Sequence, residues 1–162
     1  KIYDLEGNEL LSASFSESGE MLPVFWFGND NIFAAGDRAV ALLDKENGIV
    51  WEKQFDNIAG AAPYKSNGMV AAAKDDEGYR LVLISASGEE LATCRLEEKP
   101  AGLNVTEGLI AVNANNTVNF FNNNMAGLCK FTTNRKVDRV LLIDRHKAVI
   151  MTGNEAFVVN IN

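Results

Sequence analysis

Four glycines, Gly7, Gly48, Gly88 and Gly127, recur at intervals of 41, 40 and 39 residues. Each sits in a polar turn between two short apolar runs. A fixed period of about forty, filled with short strands, is the signature of a β-propeller: each repeat is one small antiparallel sheet that cannot bury its apolar faces alone. A β-sandwich has no reason to hold such a period. The rungs of a parallel β-solenoid are usually shorter.

The third repeat shows the pattern. A small apolar run at 68–73 leads into a polar turn at 74–78, a β-rich run at 79–84, a turn at 85–89 and a less regular run at 90–96. The second repeat matches at 31–36, 38–43, 44–48 and 49–55, and its Asn47-Gly48 pair is the strongest short hairpin signal. The fourth follows at 108–112, 117–121, 122–127 and 128–131, and the fifth supplies 147–151 and 155–159. A connecting strand precedes each small apolar run, at 21–27, 58–64, 102–105 and 139–143. Four antiparallel strands per unit predict propeller blades. The expected repeats are 1–20 (partial), 21–56, 57–97, 98–134 and 135–162 (partial), within one all-β domain or propeller segment spanning 1–162. The runs rich in Ala, Val and Gly are expected innermost, where blades crowd at the axis. Residues 40–46 could form a helical turn, but Asn47-Gly48 stops it, and no longer amphipathic stretch appears.

The repeat phase is open at both ends. Residues 1–5 and 155–159 occupy the same place in the repeat. An open arc exposes sheet edges that a closed ring hides. The expectation is a part of a larger ring of about six to eight blades, completed by missing blades in the same polypeptide or by self-association of two copies.

Composition narrows the partners. A net charge of -7 repels phosphate backbones and anionic lipid, and the Lys and Arg residues are scattered. Nucleic acid is therefore not an expected partner. No apolar run reaches the ~18 residues of a membrane span, and the start carries no signal-peptide pattern. Cys94 and Cys129 lie at different positions of successive repeats, which favours two buried thiols over a bridge.

Residues 41–52 carry the most specific motif: Asp44, Gly48 four residues on, and Trp51 at the end of the following run. This stretch resembles the repeat of bacterial quinoprotein-type (PQQ-repeat) propellers, with Trp51 one residue closer to the glycine than is usual there. The other repeats keep only the turn, with Leu10, Leu91 and Leu128 or Cys129 near the tryptophan position. The resemblance implies that Trp51 packs between neighbouring blades. Its degeneracy implies non-catalytic relatives, exported beyond the cytoplasm to the cell envelope or surface.

Chemistry-bearing constellations are sparse. His146, the one histidine, lies in a turn, and no G-x-S-x-G elbow supplies a nucleophile, although sequence distance leaves Ser85 and Cys129 open as partners. One histidine with two unspaced cysteines does not make a usual zinc site. Asp75, Asp76 and Glu77 form an acidic turn without the spacing of a calcium loop. No phosphate-binding loop is present. Hence no catalytic residue, metal ligand or cofactor is assigned.

Two features remain as a candidate interaction surface. Asn115, Asn116, Asn122, Asn123 and Asn124 crowd around one strand, offering both donors and acceptors, though they also fall where turns are needed. Trp26, amid Phe25 and Phe27, either fills an interblade seam or anchors an interface. The expected function is a non-enzymatic binding or scaffold module for a protein or glycan partner. The alternatives are an enzyme of quinoprotein or glycan-active type with residues converging on the axis, and a purely structural segment of a larger propeller.

Overall fold

The computed structural model describes residues 1–3, 5–12, 24–27, 31–44, 48–65, 68–106 and 108–161. All regular structure among them is strand. A hairpin of β1 (Ile2–Tyr3) and β2 (Glu9–Leu11) precedes four antiparallel sheets. Blade 1 orders β3 (Val24–Phe27), β4 (Asn31–Ala35), β5 (Ala39–Asp44) and β6 (Gly48–Gln54). Blade 2 orders β7 (Asn57–Tyr64), β8 (Gly68–Asp75), β9 (Gly78–Ile84) and β10 (Glu90–Arg95). Blade 3 orders β11 (Gly102–Thr106), β12 (Leu109–Ala114), β13 (Thr117–Phe121) and β14 (Gly127–Thr132). Blade 4 has β15 (Arg139–Asp144), β16 (Lys147–Thr152) and β17 (Glu155–Asn160). Residues 40–44 belong to β5, so the one stretch that could have turned helical pairs as a strand.

Blades 1 to 3 bury both faces of their second and third strands, which is why those strands read as continuous apolar runs rather than alternating ones. One face of blade 2 packs on blade 1 through Val40, Leu42, Met69, Ala71, Val82 and Ile84. Its other face packs on blade 3 through Val70, Ala72, Leu81, Leu83, Ile110 and Val112. Blade 3 then meets blade 4 through Leu109, Ala111, Val118, Phe120, Ala148 and Ile150. The innermost position corrects the sequence expectation. The connecting strands β7, β11 and β15 pack on one another, and the Ala- and Val-rich β4, β8 and β12 lie one strand further out. At Gly60 of β7 an added Cβ would lie 3.2 Å from the Leu103 Cβ of β11, so the crowding is real but sits on a different strand.

The outward face of blade 4 is apolar and uncovered among the described residues. Val158 is 66% exposed. By register it matches Phe120, which blade 4 buries.

Charge ties the rims of blades 1 and 2. Arg80 donates to the Glu90 carboxylate at 2.7 and 3.2 Å, and Lys53 of β6 reaches it at 3.0 Å. The Arg80 bonds, followed by those from Lys53, hold the Glu90 pKa at about 2, against 4.5 ordinarily. A depressed carboxylate pKa adds stability above its unfolded value and loses it as pH falls through the folded value. We expect Glu90→Gln to cost about 1 kcal/mol or less at pH 7, as partly exposed pairs do. The gap between variant and wild type should close as pH falls from 4.5 toward 2. Urea unfolding across that range checks it; a gap independent of pH refutes the assignment.

Candidate functional site

The turns joining third to fourth strands in blades 2 and 3 share one construction. In blade 2, Ser85 N–H donates to Glu89 O at 2.8 Å and Gly88 N–H to Ser85 O at 3.1 Å. In blade 3, Asn122 N–H donates to Ala126 O at 3.0 Å and Met125 N–H to Asn122 O at 3.0 Å. The first side chain caps each turn from within. Ser85 Oγ accepts from Ser87 and Glu89 N–H at 3.2 and 3.1 Å, and Asn122 Oδ1 from Asn124 and Ala126 N–H at 2.9 and 3.0 Å. The fourth residue is left-handed in both, Gly88 at φ 83° and Met125 at φ 59°. Gly7 and Gly48 are also left-handed, at 87° and 75°. Gly127 is the exception to the sequence reading: it opens β14, and Met125 takes the left-handed position of its turn.

A bulge follows each turn and sets what stands opposite the next blade. Trp51 pairs with Leu42, Ala92 with Leu83 and Cys129 with Phe120, each just past a register shift. Ala92 and Cys129 therefore hold the Trp51 position. Leu91, which residue counting placed there, is instead the bulged residue, like Val50 and Leu128, and it is 61% exposed. Trp51 crosses to blade 2: its Nε1–H donates to Ala86 O at 2.8 Å. Gly88 lies against the ring, where an added Cβ would come within 3.0 Å of Trp51 Cγ. Between blades 2 and 3 the sizes are exchanged. Ala92 is small, and Met125, at the position of Gly88, is buried in the cluster that Ala92 packs against.

The exchange does not fill the space. A cleft of about 440 Å3 opens there, lined by Tyr64, Lys65, Gly68, Leu83, Ile84, Ser85, Ala86, Leu91, Ala92, Asn123 and Asn124. Tyr64 is only 6% exposed, and its hydroxyl has no hydrogen-bond partner among the described residues. Buried hydroxyls are normally paired, and this one stands beside an apolar wall. Lys65 next to it is left-handed at φ 54°, and its Nζ stands 5.4 Å from the Tyr64 ring centre.

The structure divides the predicted surface. Asn123 and Asn124 line the cleft, and Asn122 holds the turn that carries them. Asn115 and Asn116 lie at the opposite end of β13, where Asn115 Nδ2 donates to Glu98 at 2.7 Å and Asn116 Nδ2 to Thr133 O at 2.9 Å. Trp26 packs against the core between blades 1 and 2 and borders a separate cavity of about 250 Å3 with Val24, Ala35 and Ile58. Sequence reading missed Tyr64, Lys65 and Ala92. No spacing rule singles out the first two, and the bulge hid the third.

The remaining chemical groups are engaged locally. Arg95 and Arg80 meet Asp75 at 2.6 and 3.1 Å, and Arg95 also pairs with Glu77. The Arg95 bond chiefly holds the Asp75 carboxyl below its ordinary range. His146 Nδ1 lies 3.4 Å from Ile161 O. Both cysteines are free; Cys94 is half-buried, while Cys129 is exposed rather than buried as expected. No group of His, Cys, Asp and Glu among the described residues is arranged to hold a metal. No helix among them is long and apolar enough to cross a membrane.

Comparison with known proteins agrees with this geometry. The crystal structure of BamB from Moraxella catarrhalis superposes with a TM-score of 0.69 at 16% identity, over 85% of this chain and 45% of that one. BBS1N, solved in complex with ARL6DN, gives 0.65 at 14% identity, over 80% and 47%. The Neurospora crassa Pan2 WD40 domain gives 0.61 at 12% identity, over 83% and 45%. The chain thus has the β-propeller fold and spans less than half the length of each of these structures. No curated protein matches it significantly. A family model described as a family of unknown function (DUF5711) matches residues 3–161.

Proposed function

This chain belongs to DUF5711, a family of unknown function, and we propose that it is a non-enzymatic binding module whose partner, a protein, docks on the cleft between blades 2 and 3. The carrying observation is the cleft itself: apolar surface from Leu83, Leu91 and Ala92 on paired strands, amides from Asn123 and Asn124 on a turn, and a Tyr64 hydroxyl without a partner among the described residues. A concave, mostly apolar site with a few convergent polar groups suits recognition of a chain segment. Ser85 Oγ, at the cleft, accepts two hydrogen bonds from its own turn. The complex of BBS1N with ARL6DN supports the reading by example, as a similar fold seated on a protein. The outward face of blade 4 and the greater length of the matched structures support a setting within a larger ring.

Panning a phage-displayed peptide library against the protein tests the proposal. Enriched peptides should bind the wild type and weaken about tenfold or more with Leu91→Asp or Asn124→Ala. Both side chains stand at the cleft, so the fold should be unaffected. No enrichment, or peptides indifferent to both substitutions, overturns it.

A further inference from the structure

We infer that the cleft is a receptor for one aromatic side chain of the partner, above all an indole; this rests on reading the cleft as a binding site. The molecule itself shows how an indole seats at such a place. Between blades 1 and 2, Trp51 stands beside Leu42, donates to the second carbonyl of the facing turn, that of Ala86 at 2.8 Å, and lies against its fourth residue, Gly88. Between blades 2 and 3 the same frame recurs: Leu83 matches Leu42, Asn123 matches Ala86 and Met125 matches Gly88. Only the ring is absent, because Ala92 supplies a methyl where Trp51 supplies an indole. The cleft opens at that position, bounded by Leu83, Ala92 and Asn123.

A ring entering from a partner meets apolar surface, an aromatic neighbour in Tyr64 and a turn carbonyl placed like the one that receives Trp51. Aromatic side chains with a polar handle gain most from such mixed surroundings. The Tyr64 hydroxyl lies buried beneath this surface without a partner among the described residues. Met125 takes part of the space, at a left-handed backbone position that favours glycine. Met125→Gly should therefore widen the seat, and Ala92→Trp should occupy it.

The test titrates N-acetyl-tryptophanamide and, in parallel, N-acetyl-leucinamide into the 162-residue protein, followed by amide chemical shifts. Saturable shifts at Ala92, Asn123 and Asn124 are expected with the indole, with weaker ones for the leucine amide. Met125→Gly should tighten indole binding. Ala92→Trp should abolish it, as should the double variant Ala92→Trp/Met125→Gly, which rebuilds the Trp51–Gly88 pairing and guards against an overpacked single variant. Equal response to both amides, or an indole response that survives in the filled variants, overturns the inference. If panned peptides bind the cleft without enrichment in aromatic residues, the aromatic seat fails and the binding module stands. If panning yields nothing as well, both fall.

Discussion

Trp51→Ala should cost about 3 kcal/mol of folding stability, the lower part of the range for deleting a large aromatic side chain, because the ring remains partly exposed. Two contributions make up the loss. The ring covers the core shared by blades 1 and 2, where Phe33, Leu42, Met69 and Ile84 meet. Its Nε1–H also satisfies the Ala86 carbonyl in a turn otherwise closed by its own backbone. Trp51→Phe separates the two, keeping most of the packing and giving up a hydrogen bond of about 1 kcal/mol. For a domain of this size each kcal/mol moves the melting temperature by roughly 2–4 °C, so the alanine variant should melt roughly 10 °C lower. Gly88→Ala should reproduce part of the effect from the other side, since its Cβ strikes the ring and its φ of 83° disfavours alanine. Denaturant unfolding of the three variants decides the matter. A loss below about 1 kcal/mol in Trp51→Ala would mean that the ring does not tie the blades.

Phe120→Ala should cost about 3–5 kcal/mol. Phe120 is 1% exposed at the junction of blades 3 and 4, packed with Leu109, Val118, Ile150 and Val159. Leu109, Val118 and Ile150 sit on inner strands held by ladders on both sides, which limits collapse into the space. Phe120→Leu, which keeps most of the volume, should cost about 1.5 kcal/mol or less. Trp51 and Phe120 lie in separate clusters. Their losses should therefore add in the double variant if the arc unfolds as one unit. Two resolved unfolding transitions would show instead that the blades melt separately, as stacked repeats can.

Much of the fold was legible from residue order because strands and turns are local. Apolar runs of four to seven residues, interrupted by Asn, Asp, Gly and Ser, locate fifteen of the strands' neighbourhoods without any knowledge of what packs on them. The glycine rhythm was legible for a related reason: every third-to-fourth strand turn needs a left-handed residue, and glycine supplies it most cheaply. The same rule shows why the rhythm misled at Gly127. A turn of this kind needs one residue in that conformation, and Met125 adopts it because its side chain is held in the core between blades 2 and 3. Only a contact distant in sequence can compensate a methionine there.

The candidate site was half visible. Asn123 and Asn124 stood out by composition, but so did Asn115 and Asn116, which lie at the far end of the same strand. Adjacency in sequence does not say which end of a hairpin a residue occupies relative to its neighbours in space. Tyr64 and Lys65 come from another blade altogether.

By itself the sequence determined the all-β class and its repeating strand-and-turn rhythm, since alternation and turn chemistry are read within a few residues. Tertiary structure alone decided which residue faces which blade. A single bulged residue shifts register by one, sending Leu91 to solvent and Ala92 to the interface, and that shift is what leaves a cleft where blade 1 keeps a tryptophan.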